Sequence, residues 1–143
     1  MELKDPAVYA WFLALCTVLL IGRVLGQLIV ALRAPRWLPP MEQWQSGLLP
    51  YPVLLASQFV VLTFMILISR DFARGSGFFV APHPQGGVFS IGFACVYFAG
   101  MVVRYVVRMT RHPDQRWFGG TIPIIFHSVV AAFLFAWGLF QAS

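Results

Sequence analysis

The sequence predicts an all-α integral membrane protein, a single transmembrane bundle of four helices arranged as two tandem helical hairpins. Apolar residues make up 59% of the 143-residue chain and charged residues only 10%, with a mean hydropathy of +0.78. This composition lies outside the range of soluble globular proteins. Four apolar runs are each long enough to cross about 30 Å of hydrocarbon as a helix. They are too continuous for the alternating strands of a membrane barrel.

The predicted helices cover residues of about 7–32, 50–69, 88–109 and 121–141. The first run is too long for the apolar core of a signal peptide and lacks a clear small-residue cleavage site, so we expect it to be retained. The loop after it carries Trp37 and Trp44, which are typical anchors at the headgroup region. The middle loop is rich in Gly and Pro, and we expect it either to dip into the interface or to dock a partner.

A similar pattern follows the first and the third helix. Arg-x-Pro and then Arg-Trp occur at 33–37 and again at 111–117, and each pattern precedes a Gly-x-x-Pro that opens the next helix. An internal duplication would produce this pattern. Chance convergence on interface chemistry, with Pro at a helix's first turn and Arg and Trp at the headgroups, would produce it too.

The distribution of positive charge predicts an orientation. The first and third loops and their helix ends hold Arg33, Arg36, Arg104, Arg108, Arg111 and Arg116, whereas the other side holds Lys4, Arg70 and Arg74. Short loops rich in Lys and Arg stay in the cytoplasm. We therefore expect both termini outside, in a membrane of the bacterial inner-membrane type. The formal net charge of +5 lies in loops and helix ends, so no nucleic-acid partner is indicated.

Arg23 is the most informative single residue, because it lies deep within the first apolar run. An arginine there costs about 2.5–3.5 kcal/mol on translocon scales and usually faces a bundle interior. The apolar runs contain no acidic residue that could pair with it. Its partner could be backbone carbonyls together with Gln27 and Gln58, a lipid phosphate, an anionic ligand, or a carboxylate of another subunit.

Polar residues of all four helices are expected at a similar depth, on the side of the first and third loops. One face of the third helix carries a stripe of small and polar residues that becomes basic: Ser90, Ala94, Tyr97, Met101, Arg104, Arg108 and Arg111. The candidate ligand-binding residues are Arg23, Gln27, Gln58, Arg104 and His127. Each has a structural alternative, such as Gln58 as interhelical hydrogen-bond partner, Arg104 as interface anchor and His127 as packing residue.

The sequence indicates no catalytic residues, no metal site and no cofactor. Haem would need a second ligand beside His127, and His83 and His112 lie in loops. Cys16 and Cys95 lie in apolar runs and form no CxxC pair, so they are expected to be buried thiols. The nucleophile, phosphate-loop and zinc-protease motifs are missing as well.

Three functions are compatible with these features. The leading one is an accessory, assembly or oligomeric subunit of a membrane complex, whose partners would be other membrane subunits or a second copy in the lipid bilayer. The alternative is a binding or transport module for an anionic lipid or amphiphile. The third is a membrane redox protein that uses His127. Only the third requires an enzyme active site within this chain.

The charge bias makes a topology prediction. Reporter fusions placed after Ser143 and within residues 75–87 should both report the outer side of the membrane, because the six arginines hold the other two loops in the cytoplasm. A cytoplasmic signal from both fusions would reverse the orientation.

Overall fold

The chain folds into four α-helices in a computed structural model that describes residues 5–33, 35–37, 50–111 and 122–142. The helices are α1 (Pro6–Arg33), α2 (Tyr51–Arg74), α3 (Pro84–Arg111) and α4 (Ile122–Ala142). No strand occurs within these ranges. All four helices are long and apolar enough to span a membrane, as in a multi-pass membrane protein. The predictions for Trp44, His112 and Arg116 concern residues outside the described ranges.

The helices pack in the spatial order α2, α1, α4, α3. Each hairpin forms one interface, α1 with α2 and α3 with α4, and the two hairpins meet where α1 contacts α4. Among the described residues α2 and α3 do not contact one another. The arrangement is therefore open, with α1 and α4 in the middle and a gap between the two outer helices.

Helix α2 continues beyond its predicted end at residue 69 and ends at Arg74. The prediction ended the helix where polar residues begin, but Asp71 is buried and remains helical. Its carboxylate forms an ion pair with Arg70, with Nη2 3.3 Å from Oδ1. Gly75 then ends the helix in the left-handed conformation, with φ of 69°, and its N–H donates to the carbonyl of Phe72 at 3.2 Å.

The middle loop is hydrogen-bonded to the ends of two helices. The two expectations for it, an interface or a partner, concern contacts outside the chain and stay predictions. The Asp71 carboxylate accepts the backbone N–H of Phe79 at 3.3 Å. The carbonyl of Phe79 accepts the indole N–H of Trp137 at 3.1 Å. Gln141 accepts the backbone N–H of His83 through Oε1 at 2.7 Å. The loop thus closes the end of the bundle between α2 and α4.

Helix α3 begins at Pro84, four residues before its predicted start at residue 88. Pro is favoured in the first turn, where its missing N–H has no helical partner. Gly87 lies in this first part and packs against the end of α4: a Cβ there would be 2.7 Å from the backbone N of Ala142. Gly87, which the prediction assigned to the loop, therefore serves a close helix contact.

The close approach between α3 and α4 depends on small residues from both helices. A Cβ at Gly138 would lie 2.9 Å from the carbonyl oxygen of Gly87. Further along, Ser90 donates its hydroxyl to the carbonyl of Leu134 at 2.8 Å. In contrast, a Cβ at Gly22 on α1 would meet nothing within 4 Å. The tight contacts of Gly87 and Gly138 are thus both between α3 and α4.

Gly87→Ala should destabilise the fold, because its new methyl group would push α3 away from α4. Overpacking of this kind typically costs about 1–3 kcal/mol. The measurement is thermal unfolding of the purified protein in a mild detergent. Gly92→Ala on the same helix is the matched control, since a Cβ there meets nothing within 4 Å. Equal stability of the two variants would show that the close contact does not hold the helices together.

Candidate functional site

A cavity of about 130 Å³ lies among the four helices, beside the contact between α1 and α4. Its polar lining comes from α1, α2, α3 and α4, and the rest of its wall is apolar. The described residues that line it are Leu20, Arg23, Leu54, Ser57, Gln58, Val61, Tyr97, Pro123, Phe126, His127 and Val130. Three of the five predicted ligand-binding residues are therefore in this wall: Arg23, Gln58 and His127.

Arg23 is only 6% exposed, as its position in the apolar run predicts. Its Nη1 donates to Oε1 of Gln27 at 2.8 Å, and its guanidinium carbon lies 6.0 Å from the centre of the Phe126 ring. Gln27 is fully buried and stands one helical turn from Arg23, so the two side chains share one face of α1. This contact corresponds to the alternative in which glutamine stabilises the buried charge.

Gln58 extends the same hydrogen-bonded group from α1 to α2. Its Nε2 donates to Oε1 of Gln27 at 3.4 Å. One oxygen atom therefore accepts from both Arg23 and Gln58. Within the described part of the chain, Oε1 of Gln58 and the hydroxyl of Tyr51 are buried and have no hydrogen-bond partner.

His127 reaches the cavity from α4 and is held by a neighbour on α3. Its Nδ1 is hydrogen-bonded to the hydroxyl of Tyr97, and the two rings meet edge to face with centres 5.6 Å apart. Tyr97 lines the cavity but was not among the predicted site residues. Its position on the polar face of α3, two turns before Arg104, was the signal that could have identified it.

Arg104 does not line this cavity. It lies with Arg108 and Arg111 along a separate surface hollow of about 380 Å³ on α3. Arg104 stands seven residues after Tyr97 on the same helix, two turns further along. The predicted five-residue cluster is thus brought together only in part: four members lie in or beside the cavity, and Arg104 stands on the basic end of α3.

The arrangement offers hydrogen-bond donors and positive charge in an apolar surrounding. Arg23 and His127 are ionisable side chains of the lining, from α1 and α4, and no acidic residue is among the described residues of the lining. The described ranges contain no group of three His, Cys, Asp or Glu that could hold a metal ion. Chemically, the site is suited to holding an anion.

The two cysteines lie outside the cavity wall and differ from one another in exposure. Cys16 is buried in α1, as predicted, whereas Cys95 is exposed on α3, so the prediction for Cys95 was wrong. The difference arises because α3 packs against α4 alone among the described helices and leaves much of its apolar surface uncovered by protein.

Comparisons of this chain with protein families, with curated proteins and with solved structures gave no match.

The shared oxygen of Gln27 predicts a strong energetic coupling to Arg23. Gln27→Leu should destabilise the protein by about 1–3 kcal/mol, because it removes the acceptor from a buried charge. Adding Arg23→Leu removes that charge as well, so the double variant should lose less stability than the sum of the single variants. A coupling of about 0.5–3 kcal/mol in the unfolding free energies is expected for such contacts.

The two single variants and the double variant form the cycle that measures this coupling. Phe59→Leu on α2 is the control, because Phe59 is exposed and the substitution reports the effect of a neutral change at the surface. Additive destabilisation by the Arg23 and Gln27 substitutions would show that the two side chains act independently.

Proposed function

We propose that this protein binds an anionic amphiphile within the membrane, with the head group in the cavity among the four helices. The observation that carries this proposal is the combination of Arg23, Gln58, Tyr97 and His127 in one largely apolar cavity. Hydrogen bonds to charged groups contribute about 1.5–3 kcal/mol, and they strengthen where water is excluded. An anion among these side chains would be stabilised both by hydrogen bonds to a charged group and by the exclusion of water.

The size of the cavity fits a head group. Its volume of about 130 Å³ greatly exceeds the roughly 10–15 Å³ that a single water molecule requires. Phosphate or carboxylate groups with a few further atoms are of the right order. The gap between α2 and α3 provides a route for an acyl chain, because these two helices do not touch within the described ranges.

In the membrane, we place the cavity in the cytoplasmic half. The orientation rests on the bias of arginines toward the first and third loops, with both termini outside. The basic hollow of Arg104, Arg108 and Arg111 would then face the cytoplasmic headgroups, where long cationic side chains reach lipid phosphates. This assigns Arg104 an anchoring role beside the ligand.

A second candidate function is that of a subunit in a membrane complex. It is favoured by the position of α3, which packs against α4 alone among the described helices and exposes large apolar residues such as Phe89, Phe93 and Phe98. Lipid tails can cover this surface equally well. Co-purification of a second protein with the full chain would support the subunit function.

Arg23→Leu should lower amphiphile retention about tenfold or more without preventing insertion. The substitution removes one charge-assisted contact and makes α1 more apolar. Native mass spectrometry of the protein purified in mild detergent, with an added anionic phospholipid, measures the retained ligand. His127→Phe should also reduce retention, because it removes a polar group that α4 contributes to the cavity wall.

Arg104→Leu is the matched control, since it removes the same charge from outside the cavity. We expect a smaller loss for this variant than for Arg23→Leu. Equal losses would indicate a general attraction between positive charge and lipid, which would contradict a defined site. Unchanged retention in both Arg23→Leu and His127→Phe would exclude the cavity as the binding place.

A further inference from the structure

A head group that reaches the cavity from the membrane surface has to pass through part of the apolar layer. Arg23 lies ten residues before the end of α1 at Arg33, a distance of about 15 Å at the helical rise. None of the α1 residues between these two arginines is charged. Because an ionised group in hydrocarbon is costly without polar partners, a route for an anion is expected to follow basic or polar side chains.

Among the described helices, α3 provides such a row of side chains. Helix α4 contains no Lys or Arg, and the first basic residue of α2 is Arg70, near its other end. On α3, Tyr97 lines the cavity, and Arg104, Arg108 and Arg111 line the basic hollow. These four residues are spaced by seven, four and three positions, which places them on one face of the helix.

The part of α3 between the cavity and the hollow is not covered by α1 or α2. Gly100 stands three residues after Tyr97 and belongs to the wall of the hollow. It is exposed, and a Cβ there would meet nothing within 4 Å. Helix α3 packs against α4 alone among the described helices. Cavity and hollow therefore lie one after the other along the same helix, with open space at Gly100.

The hollow can take the head group that the cavity takes. Its volume is about 380 Å³, compared with about 130 Å³ for the cavity. Arginine is always charged, and its planar guanidinium matches phosphate and carboxylate. Charges at a rim act mainly on the rate of association, whereas buried contacts act on the rate of dissociation. The hollow is open at the surface and Arg23 is only 6% exposed, so the two are expected to differ in this way.

We propose that the basic hollow is the entrance of the site: it captures the anionic head group at the membrane surface and passes it along α3, past Gly100, to the cavity. This inference rests on the proposed binding of an anionic amphiphile and assigns its route. Arg104 is the innermost of the three arginines, and Tyr97 is about 10 Å further in along the helix. The hollow thus contributes to association, and the cavity retains the ligand.

Association and dissociation rates test this route. The probe is phosphatidylglycerol with a dansyl group on one acyl chain, and energy transfer from the tryptophans reports its binding to the full-length protein in mild detergent. Stopped-flow mixing gives the association rate, and displacement by excess unlabelled phosphatidylglycerol gives the dissociation rate. Arg104→Leu should slow association about threefold at low ionic strength and leave dissociation unchanged. Arg104→Lys keeps the charge and should keep the rates of the wild type.

Gly100→Trp obstructs the route without a change in charge. An obstacle on the path raises the barrier in both directions, so association and dissociation should slow by the same factor, about threefold or more, at unchanged affinity. Gly92→Trp is the matched control. Gly92 is also exposed, with nothing within 4 Å of a Cβ, but it lies outside the walls of the cavity and the hollow. This variant should keep both rates of the wild type.

The outcomes separate the route from the function on which it rests. If Arg23→Leu weakens binding while Arg104→Leu and Gly100→Trp associate at the rate of the wild type, the route is overturned and the cavity remains the binding place. If the wild type does not bind the probe, or if Arg23→Leu binds it equally well, the proposed function fails and the route with it.

Two further results would also overturn the route. Slower association in Arg104→Leu but not in Gly100→Trp would mean that the charge attracts the lipid without passage along α3. Equal slowing in Gly92→Trp and Gly100→Trp would mean that any bulky residue on this helix has the effect.

Discussion

The burial of Arg23 is the constraint on which the rest of this structure depends. A charged side chain in an apolar layer must be surrounded by polar or polarisable groups. Moving an ionised group out of water without such partners costs many kcal/mol. Gln27 on the same helix supplies the acceptor, and Gln58 reaches that acceptor from α2. Phe126 on α4 presents its ring to the guanidinium. Stabilising one charge thus requires α1 to lie between α2 and α4, which is the order found.

The second hairpin completes the cavity through a contact of a different kind. Helices α3 and α4 approach closely because Gly87 and Gly138 leave room for backbone atoms. In lipid, no hydrophobic effect drives helices together. Van der Waals packing holds them instead, and small residues of this kind permit it because they let two helices approach closely. The approach brings Tyr97 to His127, and so adds these two polar side chains to the cavity wall. The loss of this packing would therefore affect the site as well as the fold.

The end of the molecule that carries the middle loop is held by contacts of its own. Hydrogen bonds join the loop to α2 and α4 through Asp71 and Gln141. Beneath them, the rings of Tyr9, Phe72 and Phe140 form a cluster in which the centres of Phe72 and Phe140 are 4.7 Å apart. The polar cavity is far from this cluster along the helices.

The sequence by itself determined the number of helices and the burial of Arg23. Four uninterrupted apolar runs can satisfy their backbone in lipid only as helices, and an arginine deep in one of them must be buried among its neighbours. The ends of the helices were less predictable. Asp71 and Gly87 look like residues that end or break a helix, but a carboxylate with local donors and a glycine beneath another helix are compatible with helical structure.

Only the tertiary structure decided which polar residues meet. Depth along a helix follows from its rise per residue, but rotation and neighbour order depend on packing between residues far apart in sequence. For this reason Arg104 lies outside the cavity, whereas Tyr97, two turns earlier on the same helix, lies within its wall. The unpaired oxygen of Gln58 could not be foreseen either, since it results from a chain of donors and acceptors across two helices.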